Sequence, residues 1–324
     1  MKKFINYIHK DHLYRNSIYL IINNIITTGF GFFFWIICAR LFTTEQVGFA
    51  TTIISAIGLV SSFSFLGLNT TLIRYLPQAK DKGRLIGSCL NLTGLVSIIA
   101  ALIFLILVPF LSPKLMFVLE SKILFVMFIT CTFFWVLYTE IDSIFIASRK
   151  SGLVLIKSTI FSVGKVILSV LVVFLGIFGI LGAYYISALI SCVFAFFYFR
   201  YKLVIDFPLI KEMFLFSAGN YFAGIFIMMP GLALPIIITN MIGPESTAYF
   251  YVAFMISSLL LIIPGAVGQS LLAEGSHDSN YLNKKIKKAY LINFSLLIPA
   301  TIIIIIFGRF ALSLFSPEYL QAYP

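Results

Sequence analysis

The chain has 324 residues, of which 60% are hydrophobic and 11% charged, against about 45–50% and about 25% in an average soluble domain. With a mean hydropathy of +1.05 and 35 phenylalanines, it has too little polar surface to coat a globule. This excludes a soluble enzyme, a disordered tail and a secreted disulfide scaffold. The net charge of +11 fits either a nucleic-acid binder or a membrane protein with basic cytoplasmic loops, which differ in where the charges fall.

A spanning helix needs about 20 largely uncharged residues, so the spans are read as gaps between charges. In chain order these are 16–39, 46–73, 85–113 and 123–139, the last with an apolar pattern continuing to Arg149. The uncharged run 166–199 has 34 residues, too many for one span and too few for two. Two helices fit if the first begins near Lys157 and the chain turns at Gly176, Gly179 and Gly182, which puts Lys165 inside the membrane. Three more follow, 213–244, 246–273 and 289–308. The fold class is all-α, a polytopic membrane protein of nine spans. The first apolar run is long enough to span and lacks a small-residue cleavage site, so it is not read as a signal peptide.

With the N-terminus inside, 18 of the 23 Lys and Arg fall on cytoplasmic segments. They are Lys2, Lys3, Lys10, Arg15, Arg74, Lys80, Lys82, Arg84, Arg149, Lys150, Lys157, Arg200, Lys202, Lys211, Lys284, Lys285, Lys287 and Lys288. Arg40, Lys114, Lys122 and Arg309 fall at the outer ends. The bias sets a cytoplasmic N-terminus in a multi-pass cell-membrane protein, and its scatter over five segments argues against nucleic acid.

A repeat appears at an offset of 200 residues. ARLFTTEQVGFATTIISAIGLV from Ala39 aligns with TNMIGPESTAYFYVAFMISSLL from Thr239, matching Arg40 with Asn240 and Glu45 with Glu245. FLSPKL from Phe110 and LFSPEY from Leu314 make a second anchor at offset 204. Six spans separate the copies, so both keep one orientation, as in transporters with a repeat axis along the membrane normal. The division expected is a six-helix lobe, 1–205, and a partial second lobe, 206–324. By that analogy the chain is expected to be a fragment, lacking about 85 residues beyond Pro324, or an unusually short homologue.

The segment ARLFTTEQVGFATTIISAIGLVSSFSFLGLNTTLIRYLP (39–77) resembles the N-terminal signature of the Wzx-type polysaccharide-unit flippases. GPESTAYFYVAFMISSLLLIIPGAV (243–267) and LFSPEYLQAYP resemble second-half segments of the same family. Its superfamily also holds the MATE multidrug exporters and the lipid II flippases. The resemblance implies two lobes that move isoprenoid-phosphate-linked glycans from the cytoplasmic to the outer leaflet by alternating access. A polysaccharide polymerase or glycosyltransferases are the implied partners. The alternatives are a MATE-like exporter of small organic cations and a non-transporting membrane subunit of a glycan-assembly complex.

Ionisable groups at membrane depth are costly and mark candidate sites. Glu140 and Asp142 lie in the fourth span, two residues apart and so on different faces. One is expected to pair with Lys165, and either is a candidate for ion coupling. Lys165, Arg40 and Arg74 are candidates for a lipid-carrier phosphate, because guanidinium and ammonium groups bind it well. Asn23, Asn24 and Asn220 are candidates for sugar hydroxyls; they, Asn69, Asn91 and Asn240 can equally bond a neighbouring helix. Pro230, Gly231 and Pro235 in the seventh span are expected to break or kink it and form a hinge.

No catalytic or metal-ligand constellation is visible, and no cofactor or enzyme activity is expected. The three His (His9, His12 and His277) fall in presumed cytoplasmic segments, and no phosphate-binding loop precedes a Lys-Ser/Thr pair. Cys38, Cys89, Cys131 and Cys192 sit in apolar runs and read as buried thiols.

Overall fold

The structure is a computed structural model that describes residues 12–265, 267 and 282–322. The side chains of residues 12–14, 209, 212, 215–217, 220, 282–285 and 322 also lie outside what is described. Among the described residues ten helices carry the fold: α1 (His12–Leu41), α2 (Thr44–Ser64), α3 (Leu68–Tyr75), α4 (Lys82–Leu111), α5 (Lys122–Ala147), α6 (Ser151–Leu171), α7 (Ile177–Phe196), α8 (Phe207–Met241), α9 (Pro244–Ser258) and α10 (Leu282–Ser313). Short 3-10 turns and a single turn at Phe117–Glu120 join them. Among the described residues there is no strand, and nine helices are long and apolar enough to cross a membrane.

Helix starts follow capping chemistry. At α2, Thr43 Oγ1 accepts from the Gln46 N–H at 3.2 Å, and Gln46 Oε1 accepts from the Thr43 N–H at 3.3 Å. This capping box satisfies two otherwise orphaned donors. Asp81 caps α4 by accepting from the Arg84 N–H at 3.0 Å.

The second, fifth and sixth spans differ from expectation. The second ends at Ser64 rather than 73, because Leu66 (φ 51°) and Gly67 (φ 70°) turn the chain left-handed. Arg74 therefore sits on the separate helix α3 and does not close the span. The fifth span starts at Ser151, well before Lys157. A Schellman turn ends α5, with the Lys150 N–H donating to the Phe145 carbonyl at 2.8 Å and the Arg149 N–H to Ile146 at 3.0 Å. The turn places Arg149 at φ 57°, a conformation that costs a non-glycine residue about 1–2 kcal/mol. Lys157 thus lies within α6. The glycine turn between spans is made at Gly176 alone (φ 56°), with Gly179 and Gly182 inside α7.

The seventh span is not broken. α8 runs 35 residues through Pro230 and Pro235. The Pro235 carbonyl also accepts from Thr247 Oγ1 at 3.5 Å.

Packing forms two units, Met1–Thr247 and Ala248–Pro324. The core of the first centres on Leu68 and Leu72 of α3, Ile86 and Cys89 of α4, Ile141 and Phe145 of α5, Phe161 of α6 and Cys192 of α7. Apolar burial drives little association in lipid, so close approach and internal hydrogen bonds matter more. α2 meets α8 along its length: Thr52 Oγ1 lies 2.5 Å from Thr239 Oγ1, which lies 2.7 Å from Thr247 Oγ1. Any Cβ at Gly48 would strike the Pro244 backbone. Tyr221 Oη donates to the Phe63 carbonyl at 2.7 Å. In the second unit, Tyr249 meets Tyr319 edge-on at 5.4 Å, with Phe315 and Tyr319 fully buried.

Helix ends recur at the offsets of the repeat. α1 ends at Leu41 and α2 begins at Thr44, while α8 ends at Met241 and α9 begins at Pro244. Pro113 and Pro317 each open a 3-10 turn.

Candidate functional site

The polar interior of the first unit is built on one face of α6. Its buried residues are Ser151, Val154, Lys157, Ser158, Phe161, Ser162, Lys165 and Ser169. Steps of three and four put them on one stripe, and eight residues separate the two lysines by about 12 Å along the helix.

Lys157 is fully buried. Its ammonium pairs with Asp142 Oδ1 at 2.9 Å, donates to the Tyr138 carbonyl and lies 3.2 Å from the centroid of the Tyr138 ring. Tyr138 Oη donates to Ser158 Oγ at 3.1 Å. Lys157, read from the sequence as a loop cation, is therefore the partner of Asp142, and the expected pairing of an acid with Lys165 does not occur. In the α5–α6 hairpin Asp142 and Lys157 lie about equally far from the turn at 148–150, whereas Lys165 is about 12 Å further along.

Lys165 is 7% exposed. Its ammonium lies 5.2 Å from the Phe34 ring, 4.9 Å from Phe161 and 5.9 Å from Tyr184. Among the described residues no carboxylate lies within ion-pair distance of it. Cation–π attraction supplies part of what it loses in hydration. The rings belong to a larger cluster in which Trp135 stacks on Tyr138 at 5.3 Å and Phe161 meets Tyr184 edge-on at 5.1 Å.

Glu140 points away from this cluster, as the two-residue spacing requires. It is 0% exposed, and neither carboxylate oxygen has a hydrogen-bond partner among the described residues. An ionised carboxylate there would cost several kcal/mol.

The other candidates are dispersed. Arg40 ends α1 and Arg74 lies on α3; both are exposed and both are engaged, Arg74 over the Tyr75 ring at 5.8 Å. Asn23 Oδ1 is buried without a hydrogen-bond partner among the described residues, while Asn24 is exposed. The side chain of Asn220 lies outside the described residues, as do Lys2, Lys3, Lys10, His9 and His277 and the side chains of His12, Lys284 and Lys285. Asn91 bonds the Lys202 and Val204 carbonyls at 3.5 and 3.3 Å, and Asn240 bonds Ser112 Oγ at 2.7 Å, so both hold protein segments together. All four cysteines are free and buried.

At one end of the unit, the loop 197–206 lies on α4. Lys202 pairs with Asp81 at 2.6 Å and Arg84 with Asp206 at 3.0 Å. The Lys202 hydrogen bond and the Arg84 N–H hold the Asp81 carboxyl below the usual carboxylate range.

The family profile described as polysaccharide biosynthesis protein matches residues 13–272. The chain belongs to that family. No curated protein matches it. Among solved structures, an inward-facing MATE family transporter of the MOP superfamily superposes with a TM-score of 0.63 at 13% identity, covering 93% of this chain and 76% of that one. A MATE in complex with MaD5 gives 0.61 at 14% identity, covering 96% and 77%. A MOP superfamily transporter from Pyrococcus furiosus, described as having a binding pocket of reverse polarity that suggests a different function, gives 0.58 at 15% identity, covering 96% and 75%. This polysaccharide biosynthesis family member thus has the fold of the MOP transporters.

Proposed function

We propose that the chain moves isoprenoid-lipid-linked oligosaccharide units from the cytoplasmic to the outer leaflet of the cell membrane. Its N-terminus is cytoplasmic, and repeat-related lobes, 1–205 and 206–324, alternate access. The observation that supports this most is Lys165, a desolvated cation in a membrane-depth helix, held by rings and facing no described carboxylate. Such a cation is expensive and suits the phosphate of a lipid carrier better than an organic cation. Arg40 and Arg74 contact the phosphate at the two ends of the path. Asn23, Asn24 and Asn220 bond sugar hydroxyls. The isoprenoid tail stays in lipid. An ion gradient or the sugar gradient drives the cycle, with Glu140 and Asp142 as coupling acids and Pro230, Gly231 and Pro235 as the flexible part of α8. Partners are the polymerase or glycosyltransferases of the same glycan.

The test is translocation of a polyprenyl-diphosphate-linked oligosaccharide by the chain in proteoliposomes, read by accessibility of the sugar to a lectin. Lys165→Ala lowers the rate by about tenfold or more, the worth of a hydrogen bond to a charged group, with unchanged elution as a folded species. An unaltered rate in that variant removes the phosphate role.

The second reading, export of small organic cations, is favoured by the unpartnered Glu140. Efflux of a cationic dye from loaded vesicles, lost in Glu140→Gln, would select it.

A further inference from the structure

α8 opens the second copy of the repeat, yet both its ends are tied to one helix of the first copy. At its start, Asp206 accepts from Arg84 Nε at 3.0 Å, and the Asp206 N–H donates to Ser88 Oγ at 3.0 Å. The preceding loop is seated as well: the Lys202 N–H donates to the Gly83 carbonyl at 3.0 Å, and the Lys202 carbonyl fills the place where a Cβ at Gly87 would stand. At its far end, Asn240 Nδ2 donates to Oγ of Ser112, the residue that follows α4, at 2.7 Å. The Lys114 N–H donates to Asn240 Oδ1 at 3.2 Å, and Lys114 Nζ to the Ile242 carbonyl at 3.4 Å. α4 and α8 thus run parallel and are fastened near both ends.

Taken singly these contacts are modest, since exposed ion pairs contribute about 0–1 kcal/mol. Their arrangement matters more. A rigid swing of α8 away from α4 must break both ends together, along with the Thr52–Thr239–Thr247 chain between α2 and α8. We propose that α8 travels with the first six spans through the cycle, so that the moving boundary lies after α8 rather than in the loop 197–206. This rests on the alternating-access reading but shifts its lobe boundary from residue 205 to the end of α8.

The test uses the full chain in proteoliposomes, with Ser88→Cys and Asp206→Cys bridging one end and Lys114→Cys and Ile242→Cys the other. A short bifunctional thiosulfonate links each pair, the native thiols being buried. With both ends bridged, translocation of the polyprenyl-diphosphate-linked oligosaccharide stays within about twofold of the reduced protein, because no step requires these ends to part. A fall of about tenfold that reductant reverses overturns the proposal. A second measurement is independent of translocation: spin labels replace Ile99 of α4 and Ile227 of α8, both exposed. One unchanged distance with and without the glycolipid supports the proposal. A shift of a helical turn, about 5 Å, overturns it. Absence of translocation in the unbridged chain counts against the transport reading alone, since the label distance still decides the fastening.

Discussion

The first unit holds two clusters of charge that obey different physics. Inside, Lys157 and Asp142 form an ion pair with the lysine fully buried, and Glu140 and Lys165 lie nearby with no counter-charge of their own among the described residues. At the helix ends, Asp81–Lys202 and Arg84–Asp206 are pairs of similar length in which Lys202 and Arg84 remain more than half exposed. Similar distances carry different weights, because the buried pair has given up its hydration and the exposed pairs have not. The interior cluster is costly. The outer cluster is inexpensive and fixes where a loop lies.

The largest expected effect breaks the interior pair. Asp142→Ala leaves Lys157 buried without a counter-charge and lowers stability by about 3–5 kcal/mol, seen as a fall in Tm in detergent. Lys157→Met with Asp142→Leu recovers most of it, since an apolar pair of similar volume is often as stable. If the single variant melts like the parent, the pair is hydrated and the contrast fails.

Next comes the loop seat. Gly87→Val drives a side chain into the Lys202 backbone and costs about 1–3 kcal/mol. Amide exchange should accelerate in 197–206 and little elsewhere. A similar gain of about 1–3 kcal/mol, of opposite sign, is expected of Glu140→Leu, which removes a buried carboxyl with no bonding partner. A lower Tm in that variant would mean that Glu140 has a polar partner in solution.

The smallest effect is pH dependence at the outer cluster. Asp81 has its folded pKa lowered, chiefly by Lys202. Its contribution is therefore full above the ordinary carboxylate pKa of about 3.9 and disappears as pH falls through the lower folded value. Exchange in 197–206 should be flat from neutral pH to about 5 after correction for intrinsic rates and rise only in acid. A rise near neutrality would assign the loop to another group.

Much of the architecture is legible in the gaps between charges, because a bilayer punishes an unpaired charge wherever it falls. The recurrence of helix ends at Leu41 and Met241 follows from the same logic, since polar corner residues mark where a span must stop. Lys157 is where this reasoning errs. Beside Ser148-Arg149-Lys150 it looks like one more loop cation, and only the stripe Ser151, Val154, Ser158 and Ser162 puts it on the buried face. The Thr43–Gln46 capping box is likewise written in the sequence, as T-x-x-Q before an apolar run. The isolation of Glu140 and the cage around Lys165 are not legible. They depend on how each helix is rotated about its own axis, which neighbouring helices decide. The fastening of α8 to α4 escapes for a related reason: Arg84 and Asp206 are 122 positions apart, with nothing local to join them.

The left-handed pair Leu66–Gly67 also has a consequence for fit to the bilayer. Continued without a break, the helix from Thr44 to Tyr75 would be about 48 Å long, well beyond a hydrocarbon layer of about 30 Å. Ending α2 at Ser64 gives a rod of about 32 Å, close to that thickness. A backbone conformation unfavourable for leucine thus matches α2 to the layer, whereas α8 and α10, with 35 and 32 residues, extend beyond it and must tilt or emerge at their ends. The remaining turns form α3 instead, which buries Leu68 and Leu72 in the core.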